Sequence, residues 1–253
     1  MVYKRKSTKK ILKNNKKKTK RKIPSNIYGK YKNNMNKLVI SINNDLGKKR
    51  RKKLNYKFKH IEGVTESPKW IVDNFKLYHT EDINSRKTRG KMGCFSSHVK
   101  TLQYIVDNKL NNTVILEDDA FLDGNIIGKF PNDGACLLGG TLRHPNNWTL
   151  DNKFRKNKVK GIIKNFKQGI NVIDYDKYRW TQTHAIYYPK WEVAKEILYF
   201  IKNTNYKFKH FDLFLCDHKL VKYLHYPSIF THDDRESESQ INKKNGYIKN
   251  YVL

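Results

Sequence analysis

The alternation of apolar and polar positions begins at about residue 37. Upstream the chain is dominated by Lys, Arg, Asn, Ser and Thr with no period. Lys37-Leu-Val-Ile-Ser-Ile-Asn43 is a β-branched run bounded by polar residues, and it predicts a strand. Lys57-Phe-Lys-His-Ile61 predicts a second strand, punctuated by Gly63, whereas Trp70 to Tyr78 is mixed and assigns no element. Arg86-Lys-Thr-Arg-Gly-Lys-Met-Gly93 reads as a polar, glycine-marked loop. Ser96 and Ser97 then cap a helix on which Val99, Leu102, Ile105 and Val106 recur at helical spacing, to about Lys109. Thr113-Val-Ile-Leu116 is a buried-strand run that leads straight into Glu117-Asp118-Asp119. Ala135-Cys-Leu-Leu138, closed by Gly139-Gly140, and Thr183 to Tyr188, ended by Pro189, predict two more strands. Trp191 to Ile201 and Asp212 to Leu224 predict helices, and Thr231 to Gln240 is a polar, acidic tail. Strands and helices alternate, and the strand runs are continuously apolar. That pattern predicts an α/β domain with a mostly parallel central sheet.

Charge divides the chain in two. Of 253 residues, 53 are Lys or Arg and 23 are Asp or Glu, a net charge of +30; residues 1–37 hold 15 of the bases and no acid. The expectation is a disordered basic arm over 1–36 and a folded domain over 37–253. Aromatics at 13% exclude a wholly disordered chain, and 13 glycines without a three-residue period exclude a collagen-like one. No apolar run approaches a membrane span, and Met1 to Lys22 lacks the apolar stretch of a signal peptide. A cytoplasmic location, or the cytoplasm of a host, is therefore expected. The abundance of Lys, Asn and Ile suggests a virus or microbe with an AT-rich genome. That bias alone could supply the basic arm. The functional alternative is contact with an anionic surface, nucleic acid or a nucleotide, to which the second cluster, Lys48 to Lys53, would add. Cys94, Cys136 and Cys216 are widely spaced and show no zinc pattern, so they read as reduced, mostly buried thiols.

Three consecutive carboxylates after an apolar strand are electrostatically costly, because like charges repel unless a cation joins them. A hard divalent ion, Mn²⁺ or Mg²⁺, takes such oxygen ligands together with substrate phosphates. Glu117 and Asp119, at i and i+2, would share a face and reach the metal; Asp118 would point to a ribose hydroxyl or a backbone amide. The alternative is a solvated acidic loop or helix cap. Asp212 is either an ordinary helix cap or a general base. Asp233-Asp234-Arg235-Glu236 is either a self-paired surface segment or a further site wall.

Lys91-Met-Gly-Cys-Phe-Ser-Ser-His98, a helix, and then Val114-Ile-Leu-Glu-Asp-Asp-Ala120 together resemble glycosyltransferase family 25, with its G-C-x-x-S-H block and strand ending in E-D-D. Further blocks agree in order: Leu38 to Asn43, His60 to Gly63, Leu137 to Gly140, Thr183 to Tyr187, Phe211 to Leu215 and Tyr226 to Asp234. Glu62 stands where the family usually has Asp, and Gln182 where Gly is common. The resemblance implies a GT-A nucleotide-sugar-binding domain and an inverting transferase. The enzyme would be metal-dependent and would move a hexose, galactose or glucose, from a UDP-sugar to a glycan or a collagen-like hydroxylysine. It implies Glu117 and Asp119 as metal ligands and Asp212 as base. Arg50, Arg51, Asp118, His98 and His184 would contact the donor, although each histidine could equally be a packed structural one. The competing readings are a catalytically silent relative and a basic nucleic-acid-binding protein. The latter lacks a zinc site, an aromatic RNP block or helix-turn-helix spacing.

Overall fold

A computed structural model describes residues 35–77, 82–143 and 161–232. Residues 1–34 of the expected basic arm and the Asp233–Glu236 group lie outside these residues, while Asn36, expected in the arm, opens the first strand. In chain order the elements are β1 (Asn36–Ser41), α1 (Asp45–Lys53), β2 (Lys59–Glu62), α2 (Lys69–Asn74), α3 (Arg86–Asp107), β3 (Thr113–Glu117), β4 (Ala120–Leu122), β5 (Cys136–Arg143), β6 (Gly169–Val172), β7 (Arg179–Tyr188), α4 (Trp191–Asn203), α5 (Phe211–Asp217), β8 (Tyr223–Tyr226) and β9 (Phe230–His232). Seven strands form one sheet in the order β2-β1-β3-β7-β5-β8-β6, and β4 pairs with β9 in a small second sheet. The expected α/β sheet is present and is mixed. β2, β1 and β3 run parallel, as do β5 and β8, while β7 lies antiparallel between β3 and β5 and β6 antiparallel to β8.

Both faces of the sheet are covered, which is why its strands read as unbroken apolar runs. Leu38, Ile115, Leu137 and Ile186 pack beneath the helices, against Phe95, Leu102 and Ile105 of α3 and Phe211 and Phe214 of α5. Their strand neighbours Val39, Val114, Leu116, Leu138 and Tyr187 form a second core on the opposite face, with Phe130, Ile229 and Phe230. Among the described residues no helix is long and apolar enough to cross a membrane.

Several boundaries differ from the sequence reading. Arg86 to Gly93 is not a loop: it forms the first turns of α3, capped by Ser85, whose side chain accepts a bond from the Thr88 N–H at 3.2 Å. Ser96 and Ser97 are buried inside that helix. Gly93 is needed there for contact, since a Cβ would lie 2.7 Å from the Val64 carbonyl oxygen. The Lys48–Lys53 cluster is helical, as α1; Asn44 caps it, accepting from the Gly47 N–H at 2.8 Å, and its bases fill the last turn, where the helix dipole favours them. The helix expected over Asp212 to Leu224 stops at Asp217. Lys219 adopts a left-handed φ of 55°, and Tyr223–Tyr226 joins the sheet instead. β5 continues through Gly139-Gly140 rather than ending there.

Candidate active site

Because β1, β2 and β3 are parallel, their carboxyl ends meet at one edge of the sheet, the edge at which α/β folds place ligands. Ser41 ends β1 and Glu117 ends β3. β7 is antiparallel to β3, so its early residues Thr183 and His184 arrive at the same edge, just past the last paired residues Leu116 and Ala185. Consecutive side chains of a regular strand face opposite sides. Here the β5–β7 pairing shifts register around Gly139, and Gln182 holds φ at 72°. Thr183 and His184 thus reach the two oxygens of one carboxylate.

Glu117 is the hub. Its Oε1 accepts a hydrogen bond from the Thr183 hydroxyl at 2.6 Å and lies 3.3 Å from His98 Nε2. His98 is 1% exposed and stacks on Phe211 at 4.2 Å between ring centres. The other oxygen, Oε2, lies 3.9 Å from His184 Nδ1, and the same nitrogen is 3.9 Å from Asp119 Oδ1. These three side chains offer donor atoms all within 4.8 Å of one another. Asp119 Oδ1 is buried and has no hydrogen-bond partner among the described residues. A buried, unpartnered carboxylate oxygen beside a second carboxylate and an imidazole fits a divalent ion.

Asp118 turns away from this cluster. Its Oδ2 accepts from the Ser41 hydroxyl at 2.7 Å and its Oδ1 from Arg50 Nη1 at 3.2 Å. Arg50 Nε and Nη2 are buried without hydrogen-bond partners among the described residues. Arg51 is engaged differently: Nη1 donates to Ser41 Oγ at 2.6 Å and to the Ile42 carbonyl at 3.2 Å, bracing the end of β1. Tyr56 holds the acidic turn from the far side, its hydroxyl donating to the Ala120 carbonyl at 2.7 Å.

The electrostatics follow from this crowding. Burial pulls the Glu117 carboxyl up, but the His98 contact, the charges of His184 and His98 and the Thr183 hydroxyl outweigh it and hold Glu117 well below its ordinary value. Burial, then the charges of Glu117 and Asp118, push Asp119 far up, with Arg50 opposing. Burial also raises Asp118, against the Ser41 and Arg50 contacts. An added cation would offset the repulsion among these carboxylates.

Asp212, in the first turn of α5, is joined to the cluster through the backbone. Its Oδ2 accepts from the Gln182 N–H and its Oδ1 from the Leu213 N–H, each at 2.7 Å. It therefore fixes the left-handed residue that precedes Thr183. The two bonds leave further lone pairs on both oxygens. The sequence reading gave no role to Ser41 or Thr183; their places at a strand end and beside His184 were the available signals. It also took Cys94 for a buried structural thiol. Cys136 and Cys216 are buried, but Cys94 is exposed. Protein crowds it on its other sides, and that burial together with Glu117, Asp212 and Asp119 pushes its thiol well above its ordinary value.

Residues 34–207 match the family described as glycosyltransferase family 25 (LPS biosynthesis protein). Over 118 residues the chain is 26% identical to procollagen galactosyltransferase 2 of Mus musculus. That alignment covers 46% of this chain and 18% of the mouse protein, so the chain spans only a small part of that relative. Glu117, Asp118, Asp119, Arg50, Arg51, His98 and His184 fall inside the family match, and Asp212 and Asp233–Glu236 outside it.

Proposed function

Because the chain belongs to glycosyltransferase family 25, we propose that it is a metal-dependent, inverting hexosyltransferase with a GT-A-type domain. It moves galactose or glucose from a UDP-sugar to a hydroxyl of a glycan or of a collagen-like hydroxylysine. The observation that carries this reading is the convergence of Glu117 Oε2, Asp119 Oδ1 and His184 Nδ1 beside the partly buried Arg50. Two carboxylates and an imidazole suit Mn²⁺ better than Mg²⁺, which prefers an all-oxygen shell. When bound, the ion would offset the negative charge that develops on the diphosphate leaving group.

The chain's own residues supply the rest. The unpartnered Arg50 nitrogens bind the donor's phosphates, and Asp118, oriented by Ser41 and Arg50, accepts from a ribose hydroxyl. Arg51 keeps the end of β1 in register beneath the nucleotide. Thr183 and His98 orient Glu117, so that its second oxygen faces the ion. Asp212, its carboxylate held by two backbone N–H groups, removes the proton from the acceptor hydroxyl as that oxygen attacks the anomeric carbon. The basic segment 1–36 serves contact with an anionic surface, apart from the catalytic domain at 37–253.

Calorimetric titration of UDP into the full chain tests the reading. With Mn²⁺ present, UDP binds; with chelator, or in Asp119→Ala, the heat disappears. No binding with Mn²⁺ would overturn the proposal.

A further inference from the structure

Glu117 also belongs to a second donor set. Cys94 and His98 stand four residues apart on α3, so their side chains are neighbours on one helix face, the spacing at which two helical residues grip a metal ion. A sulfur of Cys94, a ring nitrogen of His98 and a carboxylate oxygen of Glu117 lie within 4.8 Å of one another. His98 is 1% exposed, and its Nδ1 has no hydrogen-bond partner among the described residues. Cys94 is the exposed member of the set, so an ion can enter from solvent. The two sets differ in chemistry. Glu117, Asp119 and His184 offer two oxygens and a nitrogen; Cys94, His98 and Glu117 offer sulfur, nitrogen and oxygen, the donors that select Zn²⁺ and other soft ions.

We propose that Cys94, His98 and Glu117 form a second, thiophilic metal site whose occupation excludes the hard ion, because both sites need Glu117. Binding replaces the thiol proton by a metal–sulfur bond and releases that proton to solvent. A zinc-type ion here draws Glu117 toward α3 and leaves Asp119 and His184 one ligand short. Soft ions would then inhibit the transferase without touching the acceptor. The exclusion rests on the Mn²⁺ reading of the first site; the thiol site itself does not.

Co²⁺ is the probe, because a cobalt–thiolate bond gives a near-ultraviolet charge-transfer band. The full chain is titrated as wild type, as Cys94→Ser and as Asp119→Asn, with circular dichroism confirming that each is folded. The band is expected in wild type and in Asp119→Asn and absent in Cys94→Ser. Its absence in wild type, or its persistence in Cys94→Ser, would overturn the site. Excess Mn²⁺ should shift the cobalt midpoint in wild type by at least about tenfold, and leave it unmoved in Asp119→Asn. A band that Mn²⁺ does not shift in wild type overturns the shared-ligand claim. Failure of the Mn²⁺ reading itself appears separately, as UDP binding that ignores Mn²⁺.

Discussion

Thr183 shows how much one hydroxyl can decide. It donates at 2.6 Å to the same Glu117 oxygen that His98 approaches, and so fixes which oxygen is left to face His184 and Asp119. Thr183→Val keeps the shape and removes the donor. It is expected to weaken Mn²⁺-dependent UDP binding by about tenfold while leaving the far-ultraviolet circular dichroism unchanged; unchanged affinity would show that Thr183 does not orient Glu117. At this scale the sequence was legible in part. The sequence reading set Glu117 and Asp119 apart from Asp118 by taking all three for an extended segment, whereas Asp118 and Asp119 form the turn between β3 and β4. His184 stood in the sequence beside Thr183, but nothing in residue order says that it faces Asp119 rather than a sugar. That depends on the irregular pairing of β5 with β7 and on the left-handed Gln182. Gln182 holds a conformation that most side chains avoid, and residue order does not announce it.

Among the elements, α1 carries the closest steric constraint on the site. Gly47 sits where a Cβ would be 2.0 Å from the Ile42 carbonyl oxygen and 2.7 Å from Ser41 Oγ. The helix is thus pressed onto the end of β1, which is what brings Arg50 and Arg51 to Asp118 and Ser41. Gly47→Ala must displace α1. Urea denaturation should show a loss of about 1–3 kcal/mol, and UDP affinity should fall with it; a variant as stable and as avid as wild type would refute the tight packing. α1 was invisible as an element because it has no apolar stripe: Gly47 is its buried residue and the rest is almost wholly charged. The first turns of α3 were hidden for the opposite reason. Two glycines and four bases look like a loop, although Met92 and Phe95 continue the stripe of Val99, Leu102 and Ile105. β3, with four buried residues in succession, was legible because nothing but a sheet covered on both faces asks for such a run.

Across the whole molecule, charge and burial make acid the expected weakness. The chain carries +30 before any of its 9 histidines is protonated, so further protons add repulsion that the compact state feels more than the unfolded one. His225 is the clearest single contributor. It is fully buried; the Ile127 N–H donates to its Nε2 at 2.9 Å, and Nδ1 lies 2.7 Å from the Pro227 carbonyl oxygen. That geometry requires a neutral ring protonated at Nδ1. Burial depresses its pKa, partly opposed by the Pro227 carbonyl contact. A depressed histidine binds its proton less readily folded than unfolded. Its contribution is therefore complete above the ordinary imidazole value of about 6.5 and is lost as pH falls through that value. Thermal melts from about pH 8 to 5 should show Tm falling with acid in wild type, and less steeply in His225→Gln. Equal slopes would remove His225 from the account.

The antiparallel seat of β7 has a consequence for the order of events in a cell. Ser41, His98, Glu117, Thr183 and Asp212 meet at one edge, yet they leave the ribosome in that order, with 94 residues between Glu117 and Asp212. When the acidic turn first emerges, neither His184 nor the strand that carries it has been made. A half-synthesised chain presents Glu117 and Asp119 without the His184 that completes their cluster. On the metal-dependent reading proposed above, uptake of the hard ion would be deferred until the sheet is nearly closed, and a loaded site would mark a finished fold.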